Sequence, residues 1–382
     1  LIGSSCVGLA VLLTRQTQRA NEQAEAQRLA EQAASKEPRV EDYLATDPVE
    51  LELGVGLVKL ADRQRGGDLL RHVQSIRRDL ASKLGIILPK VRIRDNLQLG
   101  RNEYRINIGG MPVAGGEVSP NRLLAIGPGT LEGDMPGLPT EDPAHGRPAL
   151  WIEHDVRDRA RQAGCTVVEP SGVIAEHLTA TMARHADELL TRDATRHLID
   201  ELKKTSPTVV EELIPGAMKL AEVQQVLQML LRENVSIRRL ELILEALGDA
   251  ALRTSDPIAL VEHVRSRLAR TLCAAYRDSE NRLRAATLDP EIEDQIREGV
   301  ERTEDGLCVR MSPQAVEEIR RHVAEQIEPL VQSNRPPVLL VEPLVRPAVR
   351  RITAAAMPEL AVLSYNEITR DTIVESVGLV KA

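Results

Sequence analysis

The chain has 382 residues, enough for two or more domains and a sizeable buried core. Its formal net charge is −8, and aromatic residues make up only 1%, with one Trp, four Tyr and no Phe. Nucleic-acid-binding domains usually carry a basic patch and stacking aromatics, so this composition argues against a nucleic-acid partner. The cysteines are far apart and form no CxxC pair, which argues against a zinc or redox site: Cys6, Cys165, Cys273 and Cys308.

The first residues are nearly free of charge but too few to cross a bilayer, which takes about 20 residues. Three interpretations stay open for residues 1–14: the end of a transmembrane helix, the exposed start of a linker helix, or the remainder of a signal segment. The basic residues Arg15 and Arg19 follow the apolar run, and such residues flank membrane helices on the cytoplasmic side. We therefore favour the transmembrane end, with the rest of the chain in the cytoplasm.

Residues 15–47 are interpreted as a linker. The first part, 15–36, is rich in Ala, Gln and Glu, and Leu29 is its only large aliphatic side chain. Such a segment can be helical by propensity but has no apolar face to bury.

An apolar stripe at helical spacing follows, preceded by Asp68 as a candidate N-cap and ended by Gly85 as a left-handed C-cap. Alternating residues after Pro89 predict strands with one buried face, and Gly109-Gly110 predicts a tight hairpin turn. The region therefore predicts a helix laid on a small sheet. The stripe and the alternating positions are Leu69, Val73, Ile76, Leu80, Leu84, Val91, Ile93, Tyr104, Ile106 and Ile108.

The next stretch predicts a β-α-β unit of about 50 residues. We expect a strand at 122–126, a Gly- and Pro-rich loop at 127–146, a short strand at Trp151-Ile152, a helix at 155–163 and a strand at 165–168. A helix over 173–190 then follows, with Leu178, Met182, His185 and Leu189 on one face.

Residues 190–270 predict helices only, and the chain end predicts an α/β unit. Pro after Ser206, Asp256, Asp289 and Ser312 predicts helix starts, and Ser236 is a further candidate cap. Strands at 338–341 and 360–363 flank a helix at 344–356, which predicts parallel strands with a right-handed crossover. The fold class is therefore α+β: small mixed sheets with packed helices, a central all-helical subdomain and a C-terminal β-α-β subdomain.

Catalytic patterns are weak throughout. The Gly127-Pro128-Gly129 run lacks phosphate-loop spacing, and His177 and His185 lack the i, i+4 spacing of helical metal ligands. Two acidic pairs on helices are interpreted as solvated faces, and a basic strip on the last helix is either a partner contact or a solvated face. We expect neither enzymatic activity nor a cofactor. The pairs and the strip are Glu211 and Glu212, Glu317 and Glu318, and Arg346, Arg350 and Arg351.

Several ungapped blocks carry a family resemblance. In their order along the chain they resemble the cytoplasmic domain of the FlhA family of flagellar export-gate proteins, which includes the gate protein of virulence-type secretion systems. The RDN and NEYRI segments favour the flagellar branch; the virulence-type (injectisome) gate is the alternative. The blocks are GGDLL (66–70), NRLLAIGPGT (121–130), GLPTEDPAHG (137–146), ALWIEHDVR (149–157), VQQVLQMLLRENVSIRRLELILEAL (223–247), PPVLLVEPLVRP (336–347) and VLSYNEI (362–368).

The resemblance implies four subdomains after the membrane helices and the linker. A first subdomain would comprise 48–120 and 170–189, an insert 121–169, a helical subdomain 190–270 and a C-terminal subdomain 271–382. It also implies a nonameric ring at the bacterial inner membrane. The ring would receive flagellar chaperone–substrate complexes, contact other gate and export-ATPase complex proteins, and take part in export switching.

The resemblance further implies a chaperone-docking cleft between the first subdomain and the insert. His145 stands where the family motif has Phe, and Glu176 stands where it has Thr, so the cleft is expected to be more polar than usual. The histidine charge changes near neutral pH, so binding there is expected to depend on pH. The implied docking residues are Asp142, Pro143, His145, Gly146, Val168 and Glu176.

Overall fold

A computed structural model describes residues 46–381, apart from 63, 65, 128–134, 304–305 and 334. The segment 1–14 and nearly all of the linker 15–47 lie outside the described residues. Within the described part, none of the helices combines the length and the apolar character needed to cross a membrane. The α+β fold class is confirmed: helices alternate with four small sheets.

The first subdomain begins with a four-stranded sheet in the order β2-β1-β3-β4, with β1 parallel to β2 and antiparallel to β3. The predicted amphipathic helix buries its stripe in the core that it shares with this sheet, and it ends at Gly85 in the left-handed conformation, φ 80°. The elements are β1 Val49–Leu53, α1 Val58–Ala61, α2 Leu69–Leu84, β2 Val91–Asp95, β3 Glu103–Ile108 and β4 Met111–Glu117.

The predicted capping role of Asp68 is wrong. Its side chain makes no hydrogen bond to the first helical N–H groups, and its carboxylate instead lies 3.7 Å from Arg71 and 3.6 Å from His72. Arg71 and His72 lie one helical turn after Asp68, so their side chains compete with the first helical N–H groups for the Asp68 carboxylate. The hairpin at Gly109-Gly110 is confirmed, since both glycines have positive φ between β3 and β4.

The insert is a second four-stranded sheet, in the order β6-β7-β5-β8. The prediction of an unbroken loop over 127–146 is wrong, because Leu138–Glu141 pairs antiparallel with β7. This strand has almost no buried face, so its sequence lacks the alternation of a half-buried strand. The elements are β5 Leu123–Ile126, β6 Leu138–Glu141, β7 Pro148–Ile152, α3 Arg157–Gln162 and β8 Thr166–Val168.

The two faces of the insert sheet pack against different partners. Leu123 and Ile152 face α3 and form a small core that belongs to the insert. Ile126 and Trp151 on the opposite face join the large core shared with the first subdomain and the helices. The insert is therefore packed onto the rest of the chain through an apolar face.

The chain returns to the first subdomain through α4 and then forms the helical subdomain. The predicted single helix 173–190 is interrupted at His185, where α4 ends and α5 begins. The all-helical character of 190–270 is confirmed. The elements are α4 Pro170–Arg184, α5 Ala186–Leu189, α6 Arg192–Lys203, α7 Pro207–Glu212, α8 Leu220–Arg232, α9 Leu240–Ala251, α10 Pro257–Arg267 and α11 Ala269–Tyr276.

Ser236 does not cap a helix, and this prediction is wrong. The helix begins at Leu240, because the residues before it are held against the end of α2. The Ile237 N–H donates to the Leu84 carbonyl at 2.8 Å, and Ile237 is buried. Ser206 also makes no capping bond, since its hydroxyl donates to Glu241 at 2.6 Å, although Pro207 does start α7.

The C-terminal subdomain contains an all-parallel sheet in the order β13-β12-β9-β14, plus a small hairpin of β10 and β11. Asp289 and Ser312 cap their helices as predicted, and the crossover between parallel β12 and β13 is confirmed. The elements are β9 Arg282–Leu288, α12 Pro290–Glu298, β10 Val300–Thr303, β11 Gly306–Val309, α13 Pro313–Gln332, β12 Val338–Val341, α14 Arg346–Thr353, β13 Ala361–Ser364 and β14 Ile373–Val380.

The predicted basic strip on α14 is not one surface feature, because Arg346 is buried, Arg350 is half-buried and only Arg351 is exposed. Arg346 is 1% exposed and pairs with Glu233 at 2.8 Å and with Glu262. Arg350 donates to the Leu360 carbonyl at 2.9 Å, and Arg351 donates to the Leu307 carbonyl. Both earlier interpretations, a partner contact and a solvated face, are therefore wrong for the buried Arg346. Arg351 is exposed, and its role in a partner contact stays a prediction.

Arg346 belongs to a buried charge cluster between the helical and C-terminal subdomains, here called the ionic joint. Arg265 on α10 bridges Glu233 at 2.8 Å and Glu367 at 2.6 Å. Burial alone would raise the pKa of Glu233, but the positive charges of Arg346 and Arg265 outweigh it and hold the pKa below its usual value. The ionic joint comprises Glu233, Glu262, Arg265, Arg346 and Glu367.

Candidate functional site

Four of the predicted docking residues, Asp142, Pro143, His145 and Gly146, lie in one tight turn between β6 and β7. Asp142 is 2% exposed, and its carboxylate accepts hydrogen bonds from the Ala144 N–H at 3.1 Å and from the Arg147 guanidinium at 3.1 Å. The Gly146 N–H donates to the Asp142 carbonyl at 2.7 Å, and Gly146 has φ 66°, a conformation that favours glycine. Asp142 therefore organises the turn from inside.

This turn presents His145 to helix α4. The imidazole Nε2 lies 3.5 Å from a carboxylate oxygen of Glu176, and the two side chains are 46% and 41% exposed. The contact joins the insert to the first subdomain across the position where the resemblance places the cleft. The structure thus brings together Asp142, His145 and Glu176, which are separated in sequence.

The other predicted docking residues lie around this contact. Pro143 is half-buried in the turn, next to Asp142. Val168 ends β8, is half-buried and packs against the large core beside the start of α4. A docking role for these residues stays a prediction.

A buried polar pair lies behind the turn and was not predicted. The Tyr104 hydroxyl on β3 and the His177 Nδ1 on α4 share a hydrogen bond of 2.6 Å. Tyr104 is fully buried and His177 is 6% exposed. The two residues are 73 positions apart, and neither carries a sequence signal that would pair them.

The surroundings keep this pair neutral at physiological pH. Burial raises the pKa of Tyr104 above its usual value, and the charge of Asp142 acts in the same direction. Burial lowers the pKa of His177, and Arg184 adds to that effect, while Asp142 opposes it. The Tyr104–His177 bond is thus a structural tie between the sheet and α4, behind the turn that holds Asp142.

The other candidate side chains singled out in the sequence form ion pairs or lie exposed. Across 46–381 and outside its gaps, no three His, Cys, Asp or Glu side chains are grouped to hold a metal ion. His185 pairs with Glu188 at 2.8 Å, and Glu211 pairs with Lys203 at 3.0 Å near the surface. Glu317 and its neighbour on α13 are exposed.

Comparison with known proteins gives one consistent family. The FHIPEP family model matches residues 1–373. FlhA of Bacillus subtilis, a flagellar biosynthesis protein, is 40% identical over 341 residues, which is 89% of this chain and 50% of the relative. The chain thus spans about half the length of the curated relatives it matches.

Two solved structures share the fold. CdsV of Chlamydia pneumoniae, in its complex with CdsO, has a TM-score of 0.80 and 27% identity and covers 88% of this chain and 98% of CdsV. The nonameric SctV-C of EPEC has a TM-score of 0.73 at 21% identity, covers 88% of this chain and 99% of its own, and shows the fold alone. Since the family model spans nearly the whole chain and the FlhA relative agrees with it, the chain belongs to the FHIPEP family.

Proposed function

We propose that this chain is the cytoplasmic part of a type III protein export gate, of the flagellar branch. The family match and the FlhA relative, a flagellar biosynthesis protein, support this proposal. The protein would be anchored in the bacterial inner membrane through the region before the described residues. The chain would act as a docking platform for flagellar chaperone–substrate complexes and take part in export switching.

The observation that carries the docking site is the junction of the insert and α4. Asp142, His145 and Glu176 converge there, at the positions that the family resemblance assigns to the cleft. The exposed side chains of His145 and Glu176 make this junction polar. A partner that docks there must therefore offer polar groups to His145 and Glu176, in addition to any apolar contact.

Pull-down and titration calorimetry with the host's flagellar chaperone–filament-protein complexes test this function. Glu176→Arg should abolish binding, because it reverses the charge at the cleft mouth. Glu188→Arg is the matched control, because Glu188 also pairs with a histidine but lies outside the cleft. Equal binding by both variants would place the docking site elsewhere. Retention of an injectisome chaperone instead of the flagellar ones would favour the virulence-type branch.

His145→Phe tests the unusual residue of the cleft. A Phe adds apolar area worth on the order of 1.5–3 kcal/mol when buried, so binding should tighten and lose its dependence on pH. If the partner carries a polar group matched to His145, binding should weaken instead, because that group loses its hydrogen bond. Flat and equal affinities for both proteins across the neutral pH range would place His145 outside the interface.

The platform would assemble as a nonameric ring, the state of the EPEC relative, and contact other proteins of the export apparatus, as CdsV does with CdsO. A ring needs two different complementary surfaces on each subunit, because its contacts are head-to-tail. Sedimentation of the protein that includes its proposed membrane region should give a nonamer. A stable dimer would contradict the ring.

We also propose that the chain is not an enzyme. Its glycine-rich segment lacks the spacing of a phosphate loop, and export energy would come from other components. Purified protein should therefore hydrolyse neither ATP nor GTP. Turnover that persists through further purification and is lost on a single substitution would contradict this.

A further inference from the structure

We propose that Arg147 is a further partner-contact residue of the cleft, and that it binds a carboxylate of the docking partner. This inference rests on the proposed function, because it names a chemical group that the same cleft recognises. Arg147 lies at the end of the turn that holds Asp142 and His145, and its side chain is 46% exposed. The partner that fits this residue places an Asp or Glu side chain against the insert.

A buried carboxylate holds the Arg147 guanidinium in place. The Nε–H and an Nη2–H of Arg147 donate to Asp142 Oδ2 at 3.3 and 3.1 Å, and Asp142 is 2% exposed. The backbone closes the same loop, because the Asp142 N–H donates to the Arg147 carbonyl at 2.8 Å. Ordering a long side chain normally opposes binding, and this anchor orders the arginine before any partner arrives.

The anchor leaves the outer edge of the guanidinium for a partner. An arginine carries five N–H donors, and the bonds to Asp142 use two of them. The two N–H groups of Nη1 and the second N–H of Nη2 remain. A carboxylate matches this planar pair of nitrogens with two parallel hydrogen bonds, which a hydroxyl or a single carbonyl cannot form.

The anchor also directs Arg147 towards the first subdomain. Burial raises the pKa of Tyr104 on β3, and the nearby charge of Asp142 adds to that rise, so the Asp142 carboxylate lies on the side of the turn that faces the sheet. The guanidinium bound to this carboxylate lies beside it. His145 of the same turn contacts Glu176 on α4. Arg147 and His145 are therefore neighbouring exposed groups of the insert at the cleft.

The two sides of the cleft thus differ in charge. The insert offers the guanidinium of Arg147, and α4 offers the carboxylate of Glu176. An acidic group of the partner is attracted by Arg147 and repelled by Glu176, so the charges fix which way round the docking segment lies.

Arg147→Met tests the contact by titration calorimetry with the host's flagellar chaperone–filament-protein complex. The affinity should fall about ten- to a hundredfold, the range for losing a hydrogen bond to a charged group. The double variant Asp142→Asn with Arg147→Met also removes the buried charge that the single variant leaves unpaired, and the Asn oxygen can still accept the Ala144 N–H. It should lose affinity to the same extent, because the guanidinium is missing although the turn is kept.

Arg232→Met is the matched control. The Arg232 Nε on α8 donates to Asp187 at 3.0 Å and its Nη2 lies 2.9 Å from the same oxygen, so a mostly buried aspartate holds this arginine in the same way outside the insert. The control should bind as tightly as the unaltered protein. Circular dichroism and the emission of Trp151, the only tryptophan, verify that each variant is folded.

Two further measurements separate a direct contact from support of the turn. Raising the KCl concentration from about 50 to about 300 mM should weaken binding of the unaltered protein more than binding of Arg147→Met, because salt screens an ion pair at the rim of an interface. Arg147→Glu should abolish binding, and changing one acidic surface residue of the chaperone complex to Arg should restore it.

Unchanged affinity of Arg147→Met, full binding by the double variant, or an equal loss in Arg232→Met would overturn the inference. So would the failure of every acid-to-arginine change in the partner to restore binding by Arg147→Glu. All of these results leave the proposed function standing, since the unaltered protein still binds. Absence of binding by the unaltered protein would instead contradict the proposed function, and this inference with it.

Discussion

The helical subdomain is joined to its two neighbours by different physical means. Towards the first subdomain, one apolar core runs without interruption from Leu51 on β1 to Leu244 on α9. Towards the C-terminal subdomain, the large core gives way to the ionic joint, and the sheet beyond it has apolar clusters of its own. The same helices thus carry an apolar joint on one side and a charged joint on the other.

The difference concerns what each joint specifies. Apolar burial is non-directional and scales with area, so the first joint provides stability and tolerates small shifts of packing. A buried ion pair contributes little net stability but is satisfied in few geometries. We infer that the ionic joint fixes the orientation of the C-terminal subdomain, while the apolar joint holds the chain together.

The largest expected effect comes from breaking the ionic joint. Arg346→Met leaves Glu233 and Glu262 with fewer positive partners in a buried place, which should lower the free energy of unfolding by about 3–5 kcal/mol. Urea unfolding followed by circular dichroism measures this. Arg321→Met removes an equally charged side chain that is 63% exposed, and it should change stability by less than about 0.5 kcal/mol.

A triple variant sharpens the same point. Replacing Glu233 and Glu262 by Leu together with Arg346→Met removes the unpaired charges and leaves the Arg265–Glu367 pair intact. Most of the lost stability should return, because apolar groups can replace a buried ion cluster without net cost. If the triple variant is as unstable as Arg346→Met, packing of the arginine, rather than its charge, holds this joint.

The apolar joint has its own steric test at Gly85. A Cβ there would lie 2.3 Å from the Arg238 backbone nitrogen, and the residue has φ 80°. Gly164 has φ 82° with no atom near its Cβ position, so Gly164→Ala reports the conformational strain alone. Gly85→Ala should be less stable than Gly164→Ala by about 1–3 kcal/mol, the cost of overpacking. Equal free energies of unfolding for the two variants, measured in urea, would mean that the neighbouring backbone shifts to accept the methyl group without cost.

The smallest expected effect is the pH dependence of stability that buried His177 causes. Because burial lowers the pKa of His177 from 6.5, the folded state binds fewer protons than the unfolded state in this range. The contribution of His177 to the free energy of unfolding is therefore complete above about pH 6.5. It is lost as the pH falls below that value, by at most about 1.4 kcal/mol per pH unit. Urea unfolding of His177→Gln should lack this slope, whereas His185→Gln should keep it.

Local patterns were sufficient for elements that bury one face or begin at a proline, but not for the exposed strand β6. The stripe from Leu69 to Leu84 needs only one buried face, and that periodicity is written in neighbouring residues. Pro after Asp289 or Ser312 similarly sets a helix start from local sterics. The error at Ser236 has a tertiary cause, because the segment before α9 is drawn onto Leu84 by a backbone hydrogen bond.

The site and the ionic joint depended on distant residues. Arg346 looks like a surface arginine in its own helix, and its partners Glu233 and Glu262 lie 113 and 84 positions away. Periodicity carries no information about such pairs. The family resemblance named His145 and Glu176 for the cleft, but only the fold shows that they contact each other.

The free cysteines give the chain built-in reporters of local unfolding. Cys165 is buried in the small core of the insert, Cys273 is buried where its thiol donates to the Glu367 carbonyl beside the ionic joint, and Cys308 is exposed. Among the cysteines of the described residues, a thiol reagent should thus modify Cys308 at once, and Cys165 and Cys273 only as their surroundings open. The rates at Cys165 and Cys273 then give separate opening free energies for the two outer parts of the molecule, measured in native buffer on the unaltered protein.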